Sequence, residues 1–488
     1  MTKYNYIILL IGFIPVIAAM SLFFIPKENF FFQKNLSIFF AAVSLILSVY
    51  IYKYFDIYNS DFQFFISIFE VTGLNIGYEL GIDSLSLWFI ILTNLLTFVC
   101  LVYINKAVVN RKYFFSLLFF IQFFVLQSFM VLDIFMFYIF FEAILLPMFF
   151  VIGVWGSYNR NLHASFLFFL YTLFGSLLML LGIQFFQIEV GSTNFSILAH
   201  YPFSFYSQLF LFIVFFISFG IKVPIVPVHI WLPEAHGEAP TIGSVILAGI
   251  LLKLGLYGFL RIIIPCCPDA LLYFRSYIYL IGILAVTYTA LATLAQTDLK
   301  RIIAYSSVGH MNLSVLGLIS LSVQGIEGSL FSLISHGFVS SGLFICVGLL
   351  YDRYGTKLVS YYGSFVSLMP IFSFCFFILT FSNLAFPGTS AFVGELLTFI
   401  GISSVNIFLF IFSSLSVIFV AIYSVWTYNR VIFGPNLNLN LLNKFADLTT
   451  EEFISLILLI IPILFFGIYP DPILSTIHVA ILNLNFLI

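Results

Sequence analysis

Runs of about 20 mostly apolar residues follow one another along nearly the whole chain, the length a helix needs to cross a bilayer core. Each run ends at a break containing charged residues, Pro or Gly. Of the 488 residues 62% are hydrophobic and 8% charged, whereas a soluble domain carries about a quarter charged residues. A water-facing globule is excluded. The pattern predicts an all-α polytopic membrane protein of about 14 transmembrane helices. The predicted spans are 5-25, 36-54, 83-104, 113-131, 133-153, 164-186, 207-228, 241-263, 274-295, 301-321, 327-350, 366-386, 407-430 and 452-469, with a broken stretch at 387-404 joined to the twelfth. The apolar run at the N-terminus has no Arg-rich leader or small-residue cleavage site and is expected to be the first span.

Lys and Arg positions test this count, because they concentrate on one face of a membrane. Twelve follow odd-numbered spans: Lys27, Lys34, Lys106, Arg111, Lys112, Arg160, Lys300, Arg301, Arg353, Lys357, Arg430 and Lys444. Only Lys3, Lys53, Arg261 and Arg275 fall on the other side. Both termini are therefore expected on the outer face. Lys222 and Lys253 lie inside spans.

A net charge of -2 and the lack of any basic run beyond adjacent pairs argue against nucleic-acid binding. The five cysteines form no C-x-x-C pattern, so no zinc or iron–sulfur site is expected. His229 and His236, with Glu234 and Glu238 in WLPEAHGEAP, have metal-ligand chemistry, but Pro233 and Pro240 predict a loop and no metal is expected. No G-x-G-x-x-G or Walker motif offers a site for nicotinamide, flavin or ATP. The alternation NLNLNLLN at 436-443 predicts an interfacial connection.

Two spans are interrupted. Span 7 breaks at Lys222-Val-Pro224-Ile-Val-Pro227, and span 12 at Phe386-Pro387-Gly388 before Glu395. Proline frees helical carbonyls that lipid cannot satisfy, so such breaks line cavities, and paired broken helices point to a transport site. Lys222 and Glu395 are 173 residues apart, and Glu142 and His310 are 168 apart. Five spans occupy each step, and an odd number inverts topology. The expected organisation is helices 1–3 over 1-112, a first inverted repeat of helices 4–8 over 113-263, a second of helices 9–13 over 274-430, and a connection with helix 14 over 431-488.

A charge at mid-membrane costs roughly 2.5–3.5 kcal/mol, so Glu142, Lys222, Lys253 and Glu395 together cost on the order of 10 kcal/mol unless paired or hydrated. Packing alone is met more cheaply by small or neutral polar residues. His310 and His336 share their spans with Ser306, Ser307, Ser332, Ser335, Ser340 and Ser341. Hydroxyls beside an imidazole that both donates and accepts suit a hydrated proton path.

The stretch KVPIVPVHIWLPEAHGEAPTIGSVILAGILLKLGLYG at 222-258 resembles the antiporter-like membrane subunits of respiratory complex I, most closely the M-type, chain 4 kind. FYIFFEAILLPMF at 137-149, QTDLKRIIAYSSVGHMN at 296-312, SHGFVSSGLFICVGLLYDR at 335-353, NLAFPGTSAFVGE at 383-395 and GIYPDPIL at 467-474 extend the likeness in order along the chain. Glu rather than Lys at 395 is similar to the M-type, and the chain lacks room after span 14 for the lateral helix of the subunit 5 type.

The resemblance implies proton translocation by Glu142 paired with Lys222, Lys253 as central relay, His310 and His336, and Glu395. It implies a subunit of NADH:ubiquinone reductase with no redox centre of its own. NADH, flavin, iron–sulfur clusters and ubiquinone would belong to partner subunits. The expected partners are other complex I membrane subunits, above all neighbouring antiporter-like ones, and membrane lipids. The mitochondrial inner membrane is the expected location, in keeping with 66 Phe, whose T-rich codons suit an organelle gene. The competing readings are a subunit of a multisubunit cation/proton antiporter, a passive scaffold and a quinone-binding subunit.

Overall fold

The computed structural model describes residues 5–26, 28–71, 75–104, 110–157, 160–434 and 446–486. Lys3, Lys27, Lys106, Lys444 and the expected interfacial connection at 436-443 lie outside the described residues. Among those described, thirteen helices are long and apolar enough to cross a membrane. The broken pair Pro370–Asn383 and Ser390–Val405 supplies the fourteenth crossing. The fold is the all-α membrane bundle that the apolar runs predict.

Polar residues at the water-facing ends fix where spans begin. Asp83 caps Ser84–Tyr103 through the Ser86 amide, and Asp133 caps Ile134–Ala143 through the amides of Phe135 and Met136. Asp298 caps Leu299–Ile319, and Thr449 with Glu452 forms a capping box for Thr450–Ile468. Each cap satisfies amides that the first helical turn leaves without partners.

The chain divides into two compact units. The first comprises Met1–Val223, Ile250–Ser276 and Ser475–Ile488, and the second Pro224–Gly249 and Tyr277–Leu474. Within the first unit, connections that follow even-numbered spans meet one another. Asn194 donates to Glu79 at 3.0 Å, Thr193 to Asp133 at 2.6 Å and Gln208 to Asp269 at 3.1 Å, and Arg261 pairs with Asp83. Connections after spans 1 and 3 meet through Lys112, which donates to the Ile25 carbonyl at 3.1 Å.

Within the second unit the odd-numbered connections meet. The Lys300 ammonium donates to the Ala239 carbonyl at 2.7 Å, Arg301 pairs with Glu234 at 3.1 Å, the Leu299 amide donates to the Lys357 carbonyl, and Asp447 accepts from the Ile371 amide. Contacts between connections of like parity are what alternating crossings require.

Three local features depart from the sequence reading. An antiparallel hairpin, Gln63–Val71 paired with Ile76–Ile82, stands between spans 2 and 3. The segment expected to be a loop at WLPEAHGEAP contains a helix, Trp231–Glu238. Pro233 lies in its first turn, where an amide has no helical acceptor to lose. A further helix, Asp471–Phe486, follows span 14. Thr476 on it accepts a hydrogen bond from the Trp88 indole at 2.7 Å.

Candidate functional site

Span 5 is two helices, Ile134–Ala143 and Leu145–Trp155, stepped at Ile144. Pro147 has no amide to offer the Ala143 carbonyl, so the ladder opens there. Glu142 occupies the last turn before the step. The Ser176 hydroxyl of span 6 is near its carboxylate but donates to the Leu173 carbonyl at 2.9 Å, and Oε2 is buried with no hydrogen-bond partner among the described residues.

Lys222 is the last residue of Phe205–Lys222 and is 4% exposed. Its ammonium stands 4.2 Å from the centroid of the Phe141 ring, next along the chain to Glu142. The charges of Glu142 and Lys222 act on each other. Among the described residues no ion pair within 4.0 Å joins the two. The aromatic face meets the cation instead.

Lys253 is fully buried. Span 8, Thr241–Cys266, is continuous, but Lys253 lies on a short α-helical stretch, Leu252–Gly258, between the π-helical turns Leu247–Leu251 and Phe259–Ile263. Such turns are rare and are frequently found at functional sites. Gly255 and Gly258 bring this stretch against span 7. A methyl on Gly255 would stand 2.6 Å from Val223 Cγ2, and one on Gly258 would stand 2.5 Å from the Phe219 ring.

In the second unit His310 Nδ1 lies 2.9 Å from Glu395 Oε1. The His336 ring follows at 5.9 Å from that of His310, centroid to centroid. His310 Nε2 is buried without a hydrogen-bond partner among the described residues. A cavity bounded by His310, Ser332, His336, Asn383 and Glu395 joins the three titratable groups. Glu395 sits five residues into Ser390–Val405, past the break in span 12.

Small residues make this approach possible. Methyls on Gly328 and Gly394 would collide with the backbone of Thr398 and of Ser332, so spans 11 and 12 touch backbone to backbone. Ser314 and Ser332 hydroxyls bond at 2.7 Å, and Ser335 bonds Ser390 at 2.8 Å. Ser307 and Ser340 bond carbonyls of their own helices.

At the end of span 10 the Asp298 carboxyl is held above the usual carboxylate range by burial, against the nearby charge of Lys357. His229 and His236 are in aromatic contact: His229 edge-on to Tyr288, and His236 stacked on Phe344 at 4.7 Å.

The sequence reading named Glu142, Lys222, Lys253, His310, His336 and Glu395. The second unit brings His310, His336 and Glu395 together. The first unit holds Glu142 and Lys222 within electrostatic reach and closes the Lys253 helix on that of Lys222. Four neighbours went unnamed: Phe141, Ser176, Asn383 and Tyr423, which lines a cavity with Asn383 and Ser306. A single Phe among 66 or Tyr among 27 carries no local signal.

The family described as NADH:quinone oxidoreductase/Mrp antiporter, TM, matches residues 131–420. "NADH-ubiquinone oxidoreductase chain 4" of Marchantia polymorpha is 46% identical over 472 residues, covering 96% of this chain and 95% of that one. The chain 4 of Acanthamoeba castellanii is 47% identical over 449 residues, covering 92% and 89%. A chain of "Respiratory complex I from Thermus thermophilus with bound NADH" superposes with a TM-score of 0.90 at 26% identity, covering 98% of this chain and 99% of that one. A chain of the Mrp complex from Dietzia sp. DQ12-45-1b shares the fold, with a TM-score of 0.85 at 17% identity, covering 100% and 99%. Buried carboxylates, lysines and histidines on interrupted membrane helices, together with near full-length likeness to these relatives, make the chain a member of the NADH:quinone oxidoreductase/Mrp antiporter family, on its chain 4 branch.

Proposed function

We propose that this chain is a proton-translocating, antiporter-like membrane subunit of respiratory complex I. NADH oxidation and quinone reduction in other subunits would drive proton movement through its buried side chains. The observation that carries the reading is the His310–Glu395 contact of 2.9 Å beside a broken helix, with His336 on the same cavity. A carboxylate, two imidazoles and space for water form a group that takes up and hands on protons.

Glu142 and Lys222 are the adjustable element. A buried ammonium needs a counter-charge to hold its proton, so moving Glu142 toward or away from Lys222 switches the lysine between holding and passing it. The Phe141 ring keeps the cation in place meanwhile. Lys253 is the relay between this pair and the histidines, with water completing the wires. The two inverted repeats, 113-263 and 274-430, each contribute one broken span, which supports reading the halves as related proton paths.

NADH, flavin, iron–sulfur clusters and ubiquinone are assigned to partner subunits. Other antiporter-like subunits are the lateral neighbours, lipid covers the remaining surface, and the mitochondrial inner membrane is the location. The test is proton uptake per NADH oxidised in membranes with verified assembly. Lys222→Ala lowers that ratio several-fold on this reading, and an unchanged ratio overturns it. A cation/proton antiporter subunit would instead give sodium-dependent proton flux without NADH.

A further inference from the structure

Three internal cavities of the second unit, each with room for a water molecule, meet at one side chain cluster. The first two share His310 and Glu395. The third shares Ser306 and Tyr423 with the first, and Asn383 with the second. Ser306, Asn383 and Tyr423 are therefore the residues at which the cavities adjoin. Tyr423 is 3% exposed, so its hydroxyl is shut off from bulk solvent.

The third cavity leads away from Glu395 toward one end of the bundle. Leu299, the first residue of span 10, and Thr427, in the last turns of span 13, bound it there. Thr380 and Ser424 add hydroxyls along its wall. This end carries Asp298, Lys300, Arg301 and Lys357, on the face where the chain's basic residues gather.

We propose that protons reach His310–Glu395 from the basic face along this hydroxyl-lined path, and that Tyr423 is its gate. The hydroxyl accepts a proton from a water on the Thr427 side as it releases its own to a water on the His310 side, so the phenol stays neutral throughout. Asn383 and Ser306, which line the same cavities, flank it at the junction. Rotation of the ring out of that position separates the cavities, which makes uptake interruptible. Tyr423 positions and passes protons, while Glu395 and His310 receive them. The inference rests on the reading of Glu395 as a proton carrier.

The test uses the assembled complex in sealed membranes. Tyr423→Phe keeps the ring and removes the hydroxyl, Ser306→Ala removes a hydroxyl that lines the same two cavities, and Thr380→Leu fills the outer cavity. Each is expected to lower proton uptake per NADH oxidised at least twofold, and Tyr423→Phe also to raise the solvent deuterium isotope effect, which a packing role would leave unmoved. Glu395→Gln, assayed alongside, separates the two claims. If it abolishes pumping while Ser306→Ala and Thr380→Leu pump at the parent ratio with an unchanged isotope effect, the gate is overturned and the carrier reading stands. If Glu395→Gln pumps normally, the carrier reading itself fails. Should Tyr423→Phe not assemble, the other two variants decide.

Discussion

The two halves of this chain place ionisable groups at interrupted helices in opposite ways. In the first, Lys222 precedes the break and faces an aromatic ring, with Glu142 on a separate stepped span and no direct ion pair among the described residues. In the second, Glu395 follows the break and touches His310 directly. A charge held by a ring and a distant carboxylate can change its pairing cheaply. A carboxylate in contact with an imidazole between water-sized cavities suits exchange. On the proposed reading the first arrangement serves switching and the second transfer.

The comparison breaks most completely if the halves work independently. On the proposed reading Lys253 is the relay between them, so both Lys253→Ala and Lys253→Arg are expected to cut proton uptake per NADH several-fold while the complex assembles. Guanidinium keeps the charge but does not release a proton in the accessible pH range. An Arg variant that pumps at the parent ratio would reduce Lys253 to a packing charge.

A second, smaller effect separates the carboxylates. Glu395→Gln removes the exchangeable group and is expected to block transfer, whereas Glu395→Asp retains part of it because one methylene moves the carboxyl only slightly. Equal loss in both, measured as quenching of a pH-sensitive dye in vesicles, would make Glu395 a packing residue. Glu142→Gln is expected to weaken coupling between turnover and pumping, while Glu189→Gln is nearly silent. Glu189 ends span 6 and is bonded by the Ser207 hydroxyl at 3.3 Å.

The smallest effect sharpens the comparison. Phe141→Leu removes the ring beneath Lys222, an interaction worth about 0.5–2 kcal/mol. Thermal unfolding of the purified complex should shift down by a few degrees at most, with a larger change in pumping than in stability. The reverse ranking would assign the ring to packing alone.

Much of this was legible in the residues. Apolar run lengths gave the fourteen crossings, and Pro224, Pro227 and Pro387 gave the two breaks. Glu142, Lys222, Lys253 and Glu395 stood out because charge in an apolar run is costly. What stayed hidden is polarity without charge. Tyr423 looks like any aromatic on an apolar helix until Asn383 and Ser306, 40 and 117 residues distant in sequence, close around it. The hairpin's strands, of 9 and 7 residues, are too short to stand out between two span-length apolar runs. The Asp83–Arg261 pair depends on tertiary proximity that no local pattern reports.

The π-helical turns that flank Lys253 bear on how so apolar a helix can keep an ammonium inside it. Side chains from Val245 to Leu256 offer almost no polarity besides the lysine itself. The backbone departs from the regular ladder on either side of it. At one end the Leu247 amide is divided between the carbonyls of Gly243 and Ser244, and at the other the Phe259 amide is divided between those of Gly255 and Leu256. A divided amide leaves each oxygen with spare accepting capacity, on both sides of the lysine along its own helix. These irregularities belong to main-chain geometry, where substitution of side chains does not erase them and composition does not record them.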